Sequence, residues 1–164
     1  MKVLGIDPGY GRCGVAVVEK KGDSSTSLGV KKEILLYSDC IETDSKADFP
    51  ARLSHVAREC GRIIKTFAPN WVAMEKLYFS TNQKTAMQVA EVRGALIQVA
   101  SEAGLAVAEY TPAQVKSAIA SSGRADKKQI AAMLHMLMKI EKKIAHDDEY
   151  DAIAIAVTHL ARAR

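Results

Sequence analysis

The sequence predicts an α/β fold in which helices flank a mixed five-stranded sheet, with three antiparallel strands followed by two parallel ones. Two observations lead to this prediction. Three strand-like segments follow one another at the start of the chain. Further along, two short apolar segments alternate with segments of helical periodicity, as helical crossovers between parallel strands require. The length of 164 residues suits one domain with a substantial core, so we expect a single domain over residues 1–164.

The first half of the chain predicts an antiparallel meander and one helix. Residues 2–7 and 14–20 read as strands joined by a Gly-rich loop, and a third strand is expected near residues 35–43 after a polar segment. Apolar residues then recur at helical spacing between Pro50 and Pro69. This spacing predicts an amphipathic helix that begins near the first proline and ends before the second.

The second half predicts the parallel strands and the helices that cover them. The segment "WVAME" is typical of a short buried strand, and "LAVAEY" of another. Between them, "NQKTAMQVAEVRGALIQVASEAG" predicts a long helix closed by Gly104. The remaining residues are mostly helical in pattern, which provides the helices needed to cover the faces of the sheet.

Composition indicates an ordinary globular protein, with 48% hydrophobic and 26% charged residues. The apolar stretch after Lys2 is interrupted by Asp7, and no apolar run approaches the length needed to span a bilayer. We therefore expect a cytoplasmic protein with no membrane partner. The three cysteines are widely spaced and match neither a disulfide framework nor a zinc-binding pair, so we expect them to be reduced.

Positive charge is concentrated in one segment. The net charge is +4, and the stretch from Pro112 to Lys143 contains seven Lys or Arg against two acidic residues. Such a segment suits a face that binds a phosphate backbone. On charge alone, an ordinary solvated basic face is the favoured explanation.

Acidic residues occur where catalytic carboxylates would be expected. Asp7 and Glu75 end two predicted strands, and the final helix opens with an acidic cluster that includes Asp148 and Asp151, three residues apart on one helical face. Each acid alone has an ordinary explanation, in a turn, at the solvent boundary or at a helix N-terminus. Together they would repel one another unless a divalent cation lay among them, and oxygen ligands favour Mg²⁺ or Mn²⁺. Two such ions about 4 Å apart are the usual device for phosphodiester hydrolysis.

Four motifs, in one order and at compatible spacing, resemble those of the bacterial RuvC-type Holliday junction resolvases, within the ribonuclease H-like nuclease superfamily. The resemblance covers nearly the whole chain. The opening hairpin is "GIDPG" with "GVAVVE", and the second acidic strand is "AMEKLYF". The basic segment consists of "EYTPAQVK" and "SGRADKKQI", and the closing helix is "DEYDAIAIAVTH". It implies a ribonuclease H-like fold. Glu149 and Tyr150 depart from the small residues that the family usually has between the closing acids.

The resemblance implies a homodimeric endonuclease that cuts four-way DNA junctions symmetrically, acting with the RuvA-RuvB complex and with no small-molecule substrate. It implies two Mg²⁺ ions per site, replaceable by Mn²⁺, held by Asp7, Glu75, Asp148 and Asp151. We expect in-line attack of a metal-activated water on a DNA phosphate, with Lys116 neutralising the developing charge. Because Asp147 is also one helical turn from Asp151, it remains an alternative to Asp148.

Several residues are predicted to contact DNA. Lys127 and Lys128 open a helix capped by Asp126, where their charge is unfavourable unless an anion is bound. Tyr78, with Phe79 as the alternate, is expected to stack on unpaired bases at the junction centre. The remaining predicted DNA contacts are basic residues of the same segment, Lys116 and Arg124.

Two other classes of protein compete with this interpretation. Residues 4–19 alone would suit a sugar-kinase or actin-like ATPase, but the chain is too short for the second domain that such a protein needs. A ribonuclease H-like module that binds nucleic acid without cutting it would fit the fold, whereas the acids and Lys116 favour an enzyme. His146 and His159 are candidates for proton transfer near the site.

Overall fold

The computed structural model describes residues 1–21, 33–77 and 83–163. Within these ranges the chain forms five strands and five helices in the order βββαβαβααα. The strands are β1 (Lys2–Asp7), β2 (Arg12–Lys20), β3 (Glu33–Glu42), β4 (Trp71–Glu75) and β5 (Ala106–Tyr110). The helices are α1 (Phe49–Phe67), α2 (Gln83–Glu102), α3 (Pro112–Ala120), α4 (Lys127–Leu137) and α5 (Asp147–Arg162).

The strands form one sheet in the order β3-β2-β1-β4-β5. The β1–β2 and β2–β3 pairs are antiparallel, whereas β4 runs parallel to both β1 and β5. This arrangement confirms the predicted mixed sheet. The predicted second strand was too short, because pairing with β3 already begins at Arg12.

Helices cover both faces of the sheet. Alternate strand residues point to opposite faces, so each strand contributes to two apolar clusters. The cluster on one face joins Val3, Ala16 and Ala73 to the buried side of α5 and to parts of α3 and α4. On the other face, Leu4 and Met74 belong to the cluster that α1 and α2 cover.

Local signals fix where the helices begin and end. The Asp48 side chain accepts a hydrogen bond from the Ala51 backbone at the start of α1, and Ala68 ends that helix in the left-handed conformation. A reciprocal capping box of Asp126 and Gln129 opens α4, as the sequence predicts. Among the described residues, no helix is long and apolar enough to cross a membrane.

Candidate active site

Asp7 and Glu75 lie side by side at one edge of the sheet. Ile6 pairs with Met74 in the parallel β1–β4 ladder, and Asp7 and Glu75 are the next residues of the two strands. Side chains alternate along a strand, so Asp7 faces the same side as Val3, and Glu75 the same side as Ala73. Both carboxylates therefore project from rigid strand ends on the side that α5 covers.

Two glycines let α5 approach this edge closely. A Cβ atom built on Gly14 would lie 1.8 Å from the carbonyl oxygen of Asp148, and one on Gly5 would lie 2.2 Å from that of Ala152. Only a residue without a side chain fits at either position. Since Gly14 is the antiparallel partner of Asp7, this packing holds the first turns of α5, with their acids, beside the end of β1.

The acids affect one another electrostatically. Burial, followed by repulsion from Asp151, Glu75 and Asp148, raises the pKa of Asp7 from its ordinary 3.8 to about 8. Burial and then the charge of Asp151 raise the pKa of Glu75, and burial likewise raises the pKa of Asp151. Four carboxylates thus share one partly desolvated region, where their combined negative charge is unfavourable without cations.

Cationic side chains approach the acids from three elements. Lys127 Nζ, at the start of α4, donates to Asp147 Oδ2 at 3.3 Å and to Asp151 Oδ2 at 3.4 Å. Arg12 Nε lies 3.4 Å from Asp148 Oδ2. In addition, the charge of Lys116 on α3 lowers the pKa of Glu75, partly opposing the effect of burial.

Hard oxygen donors make this cluster chemically suited to Mg²⁺ or Mn²⁺. Within the described ranges, no three His, Cys, Asp or Glu side chains are arranged to hold a metal ion. The carboxylates of Asp148 and Asp151 instead contact Arg12 and Lys127. The donor set fits the ion in type and charge.

Lys127 occupies the helix N-terminus as the sequence predicts, but the anions beside it belong to the protein. Asp147 and Asp151 supply the negative charge that offsets its unfavourable position near the positive end of α4. Lys128 and Arg124 are exposed. Tyr78 and Phe79 lie outside the described residues.

Contacts made by His146, Glu149 and Tyr150, around the start of α5, were missed by the sequence reasoning. Arg12 Nη1 donates to His146 Nδ1 at 3.1 Å, which leaves the proton on His146 Nε2 to be donated to Glu42 Oε1 at 3.0 Å. Lys142 Nζ lies 2.6 Å from the buried Glu149 Oε1. The Tyr150 hydroxyl hydrogen-bonds with His135 Nε2 at 2.9 Å.

These contacts hold the N-terminal end of α5 to β2, β3 and α4. They also give Glu149 and Tyr150, the two residues between the closing helix's Asp148 and Asp151, a partner each outside α5. The sequence does place Glu149 on the same helical face as the apolar Ala152 and Ile153, a spacing that indicates a buried side chain. Its partner Lys142 could not be identified without the fold.

The expectation that His159 lies near the site was wrong. Its ring packs against Trp71, with 4.9 Å between the ring centroids, at the opposite end of β4 from Glu75. Its Nδ1 atom is 2.9 Å from the Tyr110 hydroxyl. The reason is geometric: about three turns of α5 separate His159 from Asp148, so the helix carries it across the sheet.

A cleft of about 230 Å³ opens beside the two strand-end carboxylates. It is lined by Asp7, Glu75 and residues from the loop after β4, from α2 and from the start of α3. The cleft and the acids lie at the carboxyl ends of the parallel strands, where α/β proteins commonly bind ligands. The mixed sheet with carboxylates at this edge is the arrangement expected of the ribonuclease H-like class of nucleases, which the sequence motifs also resemble.

Comparison with known proteins identifies the family within that class. The family model for "crossover junction endodeoxyribonuclease RuvC" matches residues 3–159. The enzyme of that name from Petrotoga mobilis is 40% identical over 159 residues, which cover 97% of this chain and 93% of the relative. A second, from Geotalea uraniireducens, is 40% identical over 97% of this chain and 88% of its own length. The chain belongs to the RuvC family of crossover junction endodeoxyribonucleases.

Solved structures agree over the whole length. The structure of Thermus thermophilus RuvC in complex with Holliday junction substrate matches this chain with a TM-score of 0.89 and 32% identity, covering 100% of this chain and 95% of that one. Another structure of T. thermophilus RuvC gives a TM-score of 0.86 at 31% identity, covering 99% and 95%. The ribonuclease H-like fold predicted from the motifs is thereby confirmed.

Proposed function

We propose that this chain resolves four-way DNA junctions in the cytoplasm, as a metal-dependent endonuclease that cuts two strands symmetrically. The observation that carries the proposal is the gathering of Asp7, Glu75, Asp148 and Asp151 around the carboxyl ends of β1 and β4. Family membership supports an endodeoxyribonuclease, and the T. thermophilus relative is known in complex with a Holliday junction. We also propose that residues 1–164 act as one nuclease domain.

The same four carboxylates are the proposed metal ligands, with Mg²⁺ as the ion, Mn²⁺ as a substitute and two ions per site. When bound, such ions polarise the phosphate and lower the pKa of a coordinated water. The mutual repulsion of the acids supports this assignment, because a divalent ion would remove it. Lys127 and Arg12 are the side chains that would have to release Asp151 and Asp148.

Asp148 is the better candidate than Asp147 for the third ligand. Asp148 is close enough to Asp7 to raise its pKa, and its carbonyl packs directly on Gly14. The Asp147 side chain is 71% exposed and contacts Lys127. We therefore propose Asp148 as the ligand and Asp147 as the residue that positions Lys127.

The chain's basic residues are proposed to bind and orient the DNA backbone. Lys116 lies near Glu75 and is proposed to neutralise charge that develops on the reacting phosphate. Lys127, at the amide-rich start of α4, is proposed to exchange its carboxylate partners for a phosphate when DNA binds. Arg124 and Lys128 are exposed nearby and would extend this surface along the backbone.

The proposed partners beyond DNA are a second copy of the chain and the RuvA-RuvB complex. The α2 helix exposes Met87 by 68% and Ile97 by 38%, which leaves apolar surface that a second copy would bury. A two-fold dimer would present two sites to two strands of a near-symmetric junction. Tyr78, with Phe79 as the alternate, is proposed to stack on bases at the junction centre.

The test is cleavage of a synthetic four-way junction and of a linear duplex of matched sequence. The wild type is assayed after metal removal with a chelator and again after Mg²⁺ or Mn²⁺ is restored. We expect paired nicks in the junction alone, and only with metal. Binding of the junction without cutting under either metal would indicate a non-catalytic module instead. Asp148→Asn and Asp147→Asn are the matched pair that distinguishes the third ligand, since only the former should abolish cleavage.

A further inference from the structure

A largely buried arginine lines the cleft beside the catalytic carboxylates and has no assigned role. Arg93 projects from α2 into the cleft that Asp7 and Glu75 also line. It therefore approaches the site from the face of the sheet that α1 and α2 cover. Lys127 and Lys116 approach from the opposite face, where α3, α4 and α5 lie.

Among the described residues, the Arg93 guanidinium has partners for only part of its hydrogen-bond donors. Its side chain is 15% exposed, and Nη2 forms an ion pair with Glu109 of β5. Its Nε atom is buried and has no hydrogen-bond partner among the described residues. A buried donor without an acceptor is unfavourable, and an acceptor that entered the cleft and reached Nε would remove this cost.

We propose that Arg93 binds a phosphate of the DNA strand that crosses Asp7 and Glu75, which deepens the proposed function and rests on it. A guanidinium can hold a carboxylate through one edge and a phosphate through another, because its five donors form a planar fork. The strand would then be held by cations on both sides of the acidic cluster. This matters because the cluster repels an anionic backbone wherever its charge is not neutralised.

The salt dependence of junction binding tests this site directly. Each phosphate contact adds about 0.9 to the slope of log affinity against log salt on duplex DNA. Junction affinity is measured in chelator, so that nothing is cut, for the wild type, Glu109→Gln and the double variant Arg93→Gln with Glu109→Gln. The double variant has the same net charge as the wild type, which removes general electrostatics from the comparison.

We expect the double variant to bind more weakly than the wild type, with a slope shallower by about 0.9. The factor by which the wild type binds more tightly than the double variant should therefore fall by about 3.5-fold as the salt concentration rises from about 50 to about 200 mM. Glu109→Gln alone should bind at least as tightly as the wild type, because it frees the guanidinium. Equal affinity and equal slope for the double variant and the wild type would overturn the proposal and leave Arg93 with a structural role.

A conservative variant keeps the test valid if the double variant does not fold. Arg93→Lys keeps the charge and a partner for Glu109 but removes the second edge of donors. It should weaken junction binding several-fold at low salt, and unchanged binding would count against the proposal. If the wild type itself fails to bind the junction, the proposed function is wrong. If the wild type cleaves the junction but the Arg93 variants bind it as the wild type does, only the inference about Arg93 is wrong.

Discussion

Replacing Asp7 with asparagine should stabilise the metal-free protein at neutral pH while abolishing its activity. Burial and three neighbouring carboxylates raise the pKa of Asp7 to about 8, against 3.8 for the unperturbed group. The folded state therefore retains a proton that the unfolded state has released. The asparagine side chain has nearly the same shape but does not ionise. Folding of the variant therefore does not have to suppress an ionisation, as folding of the wild type must.

The size of the effect follows from the two pKa values. At pH 7 the unfolded Asp7 carboxyl is about three pH units above its pKa of 3.8, whereas the folded carboxyl is still mostly protonated. Because one pKa unit corresponds to about 1.4 kcal/mol, keeping this proton lowers the free energy of unfolding by up to about 4 kcal/mol. Below 3.8 both states are protonated and the cost vanishes. It grows as the pH rises above 3.8 and is complete above the folded value of about 8.

Urea unfolding in chelator, at fixed protein concentration and across a pH series, measures this difference. Asp7→Asn should gain stability over the wild type as the pH rises, and Mg²⁺ should narrow the gap by stabilising the wild type. Glu91→Gln is the control, because Glu91 is exposed on α2 and is not among the carboxylates that affect Asp7. A variant no more stable than the wild type at any pH would refute the electrostatic reasoning.

Two further predictions concern the packing that positions the acids. Gly14→Ala should cost about 1–3 kcal/mol of stability in thermal unfolding and should abolish cleavage, because the new methyl group would overlap the Asp148 carbonyl. Gly61→Ala is its control: the nearest atom is 3.7 Å away, so the variant should keep activity and gain up to about 1 kcal/mol from helix propensity. Lys142→Met should cost up to about 3 kcal/mol of stability, because it leaves the buried Glu149 carboxylate without its cation. Adding Glu149→Gln should restore most of that stability, and a double variant as unstable as Lys142→Met alone would contradict the reasoning.

Much of the fold could be predicted because its signals are local. Apolar runs and helical spacing marked the five strands, α1, α2 and the closing helix, and Asp126 with Gln129 marked the start of α4, whereas α3 was not separately predicted. The two strand-end acids were also predictable, since the ends of β1 and β4 can be read from where their apolar runs stop. Parallel pairing then brings the two ends together.

The rest of the site depends on how α5 packs, which no local pattern specifies. The choice between Asp147 and Asp148 needs the rotation of α5 about its axis, and contact with Gly5 and Gly14 fixes that rotation. Glycines inside strands were the available signal. The position of Arg93 was beyond sequence reasoning, because its ion pair joins α2 to β5 and only the assembled sheet brings them together.

The most direct test of the central claim compares the wild type with Asp7→Asn on a four-way junction and a matched linear duplex in Mg²⁺. The claim is that the carboxylates around Asp7 hold the metal that cuts DNA at a junction. It predicts symmetric nicks in the junction only, absent in Asp7→Asn, while the variant still binds the junction. Junction cleavage by Asp7→Asn at the wild-type rate would contradict it.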